Sequence, residues 1–590
     1  MWRRLLQGLA LTAGLALAAC GGGGGGSEGA QEPAATDPDR VTGKPATRAE
    51  AARFLEQATF GPTAADIDAV MAQGYGPWLE AQLALPATGG GHVAYWDARQ
   101  AALKAAGSGA YQSEVLDAFW TRALSAPDQV RARVAFALSQ IFVISMVDGG
   151  VGNYPRGAAG YLDMLNQQAL GRYRDLLESV SLHPMMGLYL SHLGNQRESP
   201  KTGRVPDENY AREVMQLFSI GLHELNADGT PRLVNGQPVE TYGQQDIQGM
   251  ARVFTGFSWA CQVSDDNCFF WASSREGETE VDRVLLPMRP YPQFHAFQEK
   301  RFLGVTVADQ GSRANPEASL KTALDTLAAH PNVAPFLARQ LIQRLVTSNP
   351  STAYVGRAAA AFQQGGGDLK ALVRAVLLDK EARDSRQAES PTFGRLREPV
   401  LRLSAFLRAM EAGSDSGAWL IRNTDDAGTA LGMSPLRAPS VFNFYRPGYV
   451  PPGGALASAG LVMPEMQITH ETSVVGYVNY MRSGIQYGFG QNGFDWKASR
   501  RDVQLAHNRG DNSLLNLVET PEALVEAVDQ RLLQGRMGAA LRAEIVQAVA
   551  SIAIPVRSGG NDSWVDAQRR NRLYAALFLA SIAPEFIVQK

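Results

Sequence analysis

Apolar residues recur at three- and four-residue spacing along most of the chain, which predicts amphipathic helices over most of its length. The spacing places helices at residues 46–58, from Pro62, after Gly76-Pro77 and at 114–124. A longer apolar helix is expected at 130–143, then others at 158–169, 172–180 and from His183-Pro184. Two helices with strongly polar faces follow at 208–222 and 244–254. Between Trp259 and Phe302 the pattern fails: aromatics and short apolar runs predict an irregular insertion near 258–302 with a small hairpin. Helical spacing resumes at 317–328, 335–346, 355–362, 368–378 and 396–410, with Asp368 placed to cap after Gly365-Gly366-Gly367. Residues 427–457 are rich in Pro, Gly and aromatics and read as a long ordered loop. The last helices are expected at 465–487, 521–533, 537–552 and 564–583. With mostly short connections and no fixed-period repeat, the expected fold is mostly α, one large multi-helix body over 45–590.

The first twenty residues change the picture. Arg3 and Arg4 precede an apolar run from Leu5 to Ala19, and Leu17-Ala18-Ala19-Cys20 has the pattern of a bacterial lipobox. The run is short of the roughly 20 apolar residues of a membrane span. Residues 1–20 therefore read as a lipoprotein signal peptide with lipidation at Cys20. Residues 21–44, opening on six consecutive glycines, read as a flexible tether. The absence of Asp at position 21 points by sorting pattern to the outer membrane, facing the periplasm or the cell surface. Beyond Cys20 only Cys261 and Cys268 remain, and outside the cytoplasm that pair is expected to form a disulfide.

At 590 residues, with 45% hydrophobic and 19% charged residues, the chain has the composition of a folded globular protein. Its formal charge of -3 gives no broad field for nucleic acid or an anionic membrane, and no nucleic-acid partner is expected. Arg greatly outnumbers Lys, which leaves room for a local basic site.

Several blocks, in order, resemble the DUF1800 family, large exported bacterial proteins of unknown function. They are Phe54-Leu55 through Phe60-Gly61-Pro62-Thr63, Arg133 through Gln140, His183-Pro184-Met185-Met186, and Glu208 through Glu213 with Leu217-Phe218. Asp246 to Gly256, Lys300 to Gly304, Leu324-Asp325 to His330-Pro331, Gly367-Asp368-Leu369 and Pro584-Glu585-Phe586 complete the set, which runs from about residue 45 to the end. The resemblance implies export and a working partner from an exported sulfatase- or phosphatase-like family; it implies no reaction. Two departures stand out. Gly243 occupies a place where the family-like motif has a hydroxyl cap, and His295-Ala296 replaces a family-like His-Asp pair.

On the 208–222 helix, Asn209, Arg212, Glu213 and Gln216 share one face, and Tyr210, Val214, Leu217 and Phe218 the other. Glu213 is the candidate general acid or base, and Arg212 the candidate fork for a carboxylate or sulfate. The competing reading is an ion-pair network between helices. Asp246 is either a first-turn capping residue or a second carboxylate opposite Glu213, as in glycoside hydrolysis, with Arg252 on a later turn. His295 is the candidate proton relay or metal ligand; His183 and His223 read more simply as capping and packing residues. Trp259 beside the insertion, and Tyr445 with Arg446 in the later aromatic loop, are candidate substrate-binding residues. Metalloprotease, calcium-loop, P-loop and serine-elbow patterns are absent. The expectation is an exported hydrolase or lyase acting on a glycan or other polymer; the alternative is a non-catalytic glycan-binding or assembly protein. Any cofactor or metal is left open.

Overall fold

Helix after helix begins where a side chain can satisfy its first amides. In the computed structural model, which describes residues 37–87, 91–261, 263–272, 282–494 and 498–590, Thr47 accepts the amide of Glu50 to open Arg48–Ala58. Thr63 and Asp66 cap each other's amides at the start of Ala64–Gln73. The same device, with Asn315, Ser351 and Asp368, opens Pro316–Ala329, Thr352–Gln364 and Leu369–Leu378. Residues 39–590 form one body, mostly helical, with strands only as short two-stranded pairs. The expected signal peptide, Cys20 and nearly all of the tether lie outside the described residues.

The apolar stripes meet in one core. Phe54, Phe60, Trp120, Tyr161, Tyr173 and Phe218 are fully buried within it. No helix among the described residues is long and apolar enough to cross a membrane. The core also contains charge. Arg395 is buried and donates to Glu465 at 2.6 and 3.0 Å, with Glu398 at 3.6 Å. Those two carboxylates hold the guanidinium protonated despite its burial, and loss of both would leave a buried charge uncompensated. Val588–Gln589 pairs antiparallel with Arg395–Leu396, so the end of the chain closes over this cluster.

Three expectations about elements are corrected. The 130–143 helix is Gln129–Ser139 and stops earlier, with Phe142 and Ile144 buried in the non-helical segment after it. The 208–222 helix is Asn209–Gln216; past it, both Leu217 and Phe218 donate to the Glu213 carbonyl, and Gly221 turns the chain in the left-handed region. His223 therefore does not sit at its carboxyl end. The helix His92–Ala105 and the hairpin Leu233–Val234/Gln237–Pro238 were not expected. That hairpin turns through Asn235-Gly236, both at positive φ as a tight two-residue turn demands.

The insertion is irregular, as expected. Phe257–Ser258 pairs with Arg289–Pro290, and Lys300–Phe302 with Val305–Val307. Cys261 and Cys268 are joined by a disulfide. The helix Gln244–Val253 lies flat on the Lys300–Phe302 strand, and Gly249 permits it: a Cβ there would stand 1.8 Å from the Arg301 carbonyl oxygen. Residues 427–457 form a long ordered loop with only the short helix Gly454–Ser458 inside it.

Candidate functional site

The two polar-faced helices, Asn209–Gln216 and Gln244–Val253, pack side by side. Tyr210 and Phe254 meet edge to face at 4.7 Å between their buried sides. Their polar sides also meet. The Gln244 side-chain amide donates to both Glu208 oxygens at 3.2 and 3.0 Å, and the Tyr242 hydroxyl donates to Gln216 Oε1 at 3.4 Å. Arg212 reaches Glu208 at 3.5 Å, one turn back, while Asn209 is exposed.

Glu213 lies in this patch, only 7% exposed, and its Oε2 is buried without a hydrogen-bond partner. Burial raises its pKa, with Arg212 pulling the other way. Burial, assisted by the Glu213 charge, pushes Tyr242 up to about 12. Glu213 is thus a buried carboxyl with spare hydrogen-bonding capacity at the edge of a polar patch.

Asp246 is committed elsewhere. Its Oδ2 accepts the Gly243 amide at 2.8 Å and its Oδ1 the Leu303 amide at 2.7 Å, so it caps its helix and ties it to the Lys300–Phe302 hairpin. Gly243 lacks the reciprocal side chain, and Asp246 supplies this half alone. Arg252 pairs with Glu198 at 3.2 Å and reaches the Glu299 carbonyl at 3.4 Å.

His295 is fully buried. Its Nδ1–H donates to the Thr255 carbonyl at 2.8 Å, and its Nε2 accepts the Ser319 hydroxyl at 3.0 Å. Burial pushes its pKa down to about 4, keeping it neutral. Ala296, at the departure from the family-like pair, donates its amide to Thr255 Oγ1 at 2.9 Å. Thr255 follows the carboxyl end of the helix that Asp246 caps, so the two contacts stand roughly 13 Å apart along the axis at 1.5 Å per residue. The structure brings Arg212 and Glu213 beside Gln244 at the start of the Asp246 helix, and sets His295 at the far end of that helix.

Trp259 is buried, its ring 5.7 Å from that of Tyr154. Phe269, Phe270, Tyr291 and Phe294 of the insertion pack on one another, Phe269 stacking on Phe294 at 3.9 Å, while Trp271 is exposed. Tyr445 and Arg446 diverge. Tyr445 is buried and donates its hydroxyl to Glu398 in the charged core cluster, while Arg446 is exposed and lies 4.6 Å over the Phe442 ring.

A cleft of about 910 Å³ opens where the Gln112–Ser125 and Pro155–Gln168 helices begin. Trp96, Tyr111 and Tyr154 give it aromatic faces, and Gln112, Asn153 and Asn423 give it planar amides. A second lobe of about 680 Å³ shares Gly109, Tyr111, Ser113 and Asn423 with the first, so the two adjoin at Tyr111. Tyr111 is 68% exposed.

The far wall of this cleft is the irregular segment around Arg422, held against the Gln112–Ser125 helix by buried carboxylates. Asp117, fully buried, accepts the Arg422 amide at 3.0 Å and meets its Nη1 at 3.2 Å. Glu114 accepts the same Nη1 at 2.5 Å, and Trp120 donates to the Arg422 carbonyl at 3.3 Å. Burial pushes Asp117 well above the usual carboxylate range. Burial also opposes ionisation of Glu114, but the Arg422 guanidinium and the Tyr111 amide outweigh it and hold that carboxyl below its usual range. Arg422 stands at φ +68°, a left-handed backbone that costs a non-glycine residue of order 1–3 kcal/mol unless its surroundings hold it. These contacts do.

None of the cleft residues was anticipated from sequence. One signal was present: Asp117 sits in the run Val115-Leu116-Asp117-Ala118-Phe119-Trp120, where a carboxylate amid apolar neighbours implies a buried partner. Among the described residues, no group of three or more His, Cys, Asp or Glu is placed to hold a metal ion.

Residues 53–588 match DUF1800, a family described as proteins of unknown function, and the chain belongs to that family. No curated protein and no solved structure matches it.

The raised pKa of Glu213 has a stability consequence. A carboxyl whose folded pKa exceeds its unfolded value contributes its full stabilisation below the unfolded pKa and loses it as pH rises through the folded one. Glu213→Gln, which mimics the protonated form, is expected to raise the thermal midpoint at pH 7 and to leave it unchanged at pH 4. A midpoint lowered at pH 7 would show that the ionised carboxylate is stabilised where it lies.

Proposed function

We propose that this DUF1800 protein is exported, tethered through Cys20 to the outer membrane, and binds a glycan chain along the cleft around Tyr111. The export part rests on Arg3, Arg4, the apolar run to Ala19 and the lipobox ending at Cys20. On this reading Cys20→Ala leaves the chain unlipidated, and fractionation recovers it away from the outer membrane. Recovery in the outer-membrane fraction with Cys20 absent would count against the anchor.

The binding part rests chiefly on one observation: an aromatic ring, Tyr111, stands exposed at the junction of two lobes whose walls carry further rings and amide side chains. Sugar rings present apolar faces edged with hydroxyls, and flat aromatics with planar amides match both. Binding is favoured over glycosidic chemistry because the acid-base pair of a glycosidase is two carboxyls across one opening. Here Asp246 gives both oxygens to backbone amides, and among the described residues Glu114 is the only carboxylate lining either lobe.

The test is titration of the purified protein with a panel of oligosaccharides. Tyr111→Ala is expected to keep the fold, since the ring is exposed, and to weaken the bound glycan about tenfold or more, as loss of a central aromatic contact does. A variant that binds as the unaltered protein does, or a panel with no ligand, would overturn the reading.

A second reading keeps a reaction. Glu213, with its unpartnered buried oxygen and raised pKa, would act as a general acid in the patch with Arg212 and Asn209, Asp246 and Arg252 holding the adjoining helix. Release of reducing ends from a glycan by the unaltered protein, and none by Glu213→Gln, would favour it.

A further inference from the structure

The charge of the cleft is more selective than its shape. Arg156, Arg283 and Arg437 line the first lobe and Arg422 and Arg501 the second, against one carboxylate, Glu114, among the described residues. The whole chain carries a formal charge of -3, so this concentration of guanidinium is local.

Three of these arginines are held from behind. Arg156 donates to both Asp97 oxygens, at 2.7 and 2.9 Å. Arg437 donates Nε to Asp425 at 2.9 Å and Nη1 to Gln112 at 2.7 Å. Arg422 donates Nε to Gln491 at 2.9 Å and gives Nη1 to Glu114 and Asp117. In Arg437 and Arg422 those bonds use Nε and Nη1, leaving Nη2 without a partner among the described residues. Arg501 makes one bond, from Nη1 to the Gly488 carbonyl at 2.9 Å, and has no carboxylate partner among the described residues. Guanidiniums fixed in this way lose little freedom on meeting an anion. The buttressing does not cancel the field in full, because Arg501 has no carboxylate partner among the described residues.

We propose that the cleft selects an acidic glycan, seating a sugar carboxylate or sulfate ester in the second lobe, between Arg422 and Arg501, with the ring against Tyr111. This rests on the glycan reading above and adds its chemical class. A neutral chain would leave the unpaired N–H groups in water. An acidic one converts them into charge-assisted bonds to oxygen, the geometry for which the planar guanidinium is suited.

The experiment is calorimetric titration of the full chain in detergent with a uronate trimer, a sulfated trimer and a neutral trimer of the same linkage. At low salt at least one acidic trimer is expected to bind about tenfold or more tightly than the neutral one. The preference should shrink as salt is raised. Which of the two binds names the group. Arg501→Gln is expected to abolish the preference while leaving neutral affinity unchanged, and Arg501→Lys, which keeps charge but not the planar fork, to restore it in part. Thermal midpoints equal to that of the unaltered protein establish that these variants fold; if Arg501→Gln does not, Arg501→Met, which also removes the charge, takes its place with the same expectation. Equal affinity for acidic and neutral trimers, or a preference surviving Arg501→Gln, would overturn the acidic class while the glycan reading stands. Binding of none of the three would overturn the glycan reading itself, and tighter binding of a single-stranded DNA oligomer would overturn both.

Discussion

Asp117 and Arg422 form the contact on which the cleft depends. A segment with little regular structure pairs only part of its amides and carbonyls internally, and buried ones left unpaired cost about 1–3 kcal/mol each. Between Ala412 and Met463 the chain meets that demand with its own turns and with side chains from elsewhere. Tyr95 donates to the Ala418 carbonyl, Trp120 to that of Arg422, and Asp502 accepts the amides of Ser416 and Leu420. Asp117 takes the Arg422 amide and guanidinium together. The result is a hydrogen-bonded wall that carries Asn423 and Arg437 to the cleft. Without the Asp117 contact, the left-handed backbone at Arg422 has less to hold it, and the two lobes lose a common side.

Carboxyl groups in this protein differ in role through their surroundings alone. Asp246 spends both oxygens on amides and works as a cap. Asp117, out of contact with water, serves as an anchor. Glu114, two bonds from Arg422 and the Tyr111 amide, stays ionised at the cleft floor. Glu213 has neither a full set of partners nor free access to water, and its raised pKa follows from that. His295 is neutral for the same reason that Asp117 resists ionisation: the interior disfavours charge on each.

The helical body was legible in the sequence because its periodicity is a local property. Pro521–Leu532 and Leu369–Leu378 fall within a residue of where apolar spacing put them, and the Cys261–Cys268 disulfide matches the pairing expected of the two cysteines that follow Cys20. Asp246 was readable as a cap from its place in the first turn. The early end of Asn209–Gln216 was not readable, because the residues beyond it, Phe218 and Ile220, continue the apolar pattern while burying into the core by another path. Asn235-Gly236 did carry a local turn signal, and the predominance of helix masked it. The cleft was invisible for a different reason. Tyr111, Tyr154, Arg422 and Arg437 are assembled from segments more than 250 residues apart, and no stretch of sequence contains the arrangement. Trp259 and Tyr445 show the converse: aromatic clusters that suggested a binding surface are spent on packing.

The most direct test locates the ligand on the protein. Hydrogen exchange measured with and without an acidic oligosaccharide is predicted to show added protection at residues 109–113, 153–156 and 419–424, the three segments that meet around Tyr111. Protection confined instead to 209–216 and 244–253 would place recognition on the Glu213 patch and contradict the account.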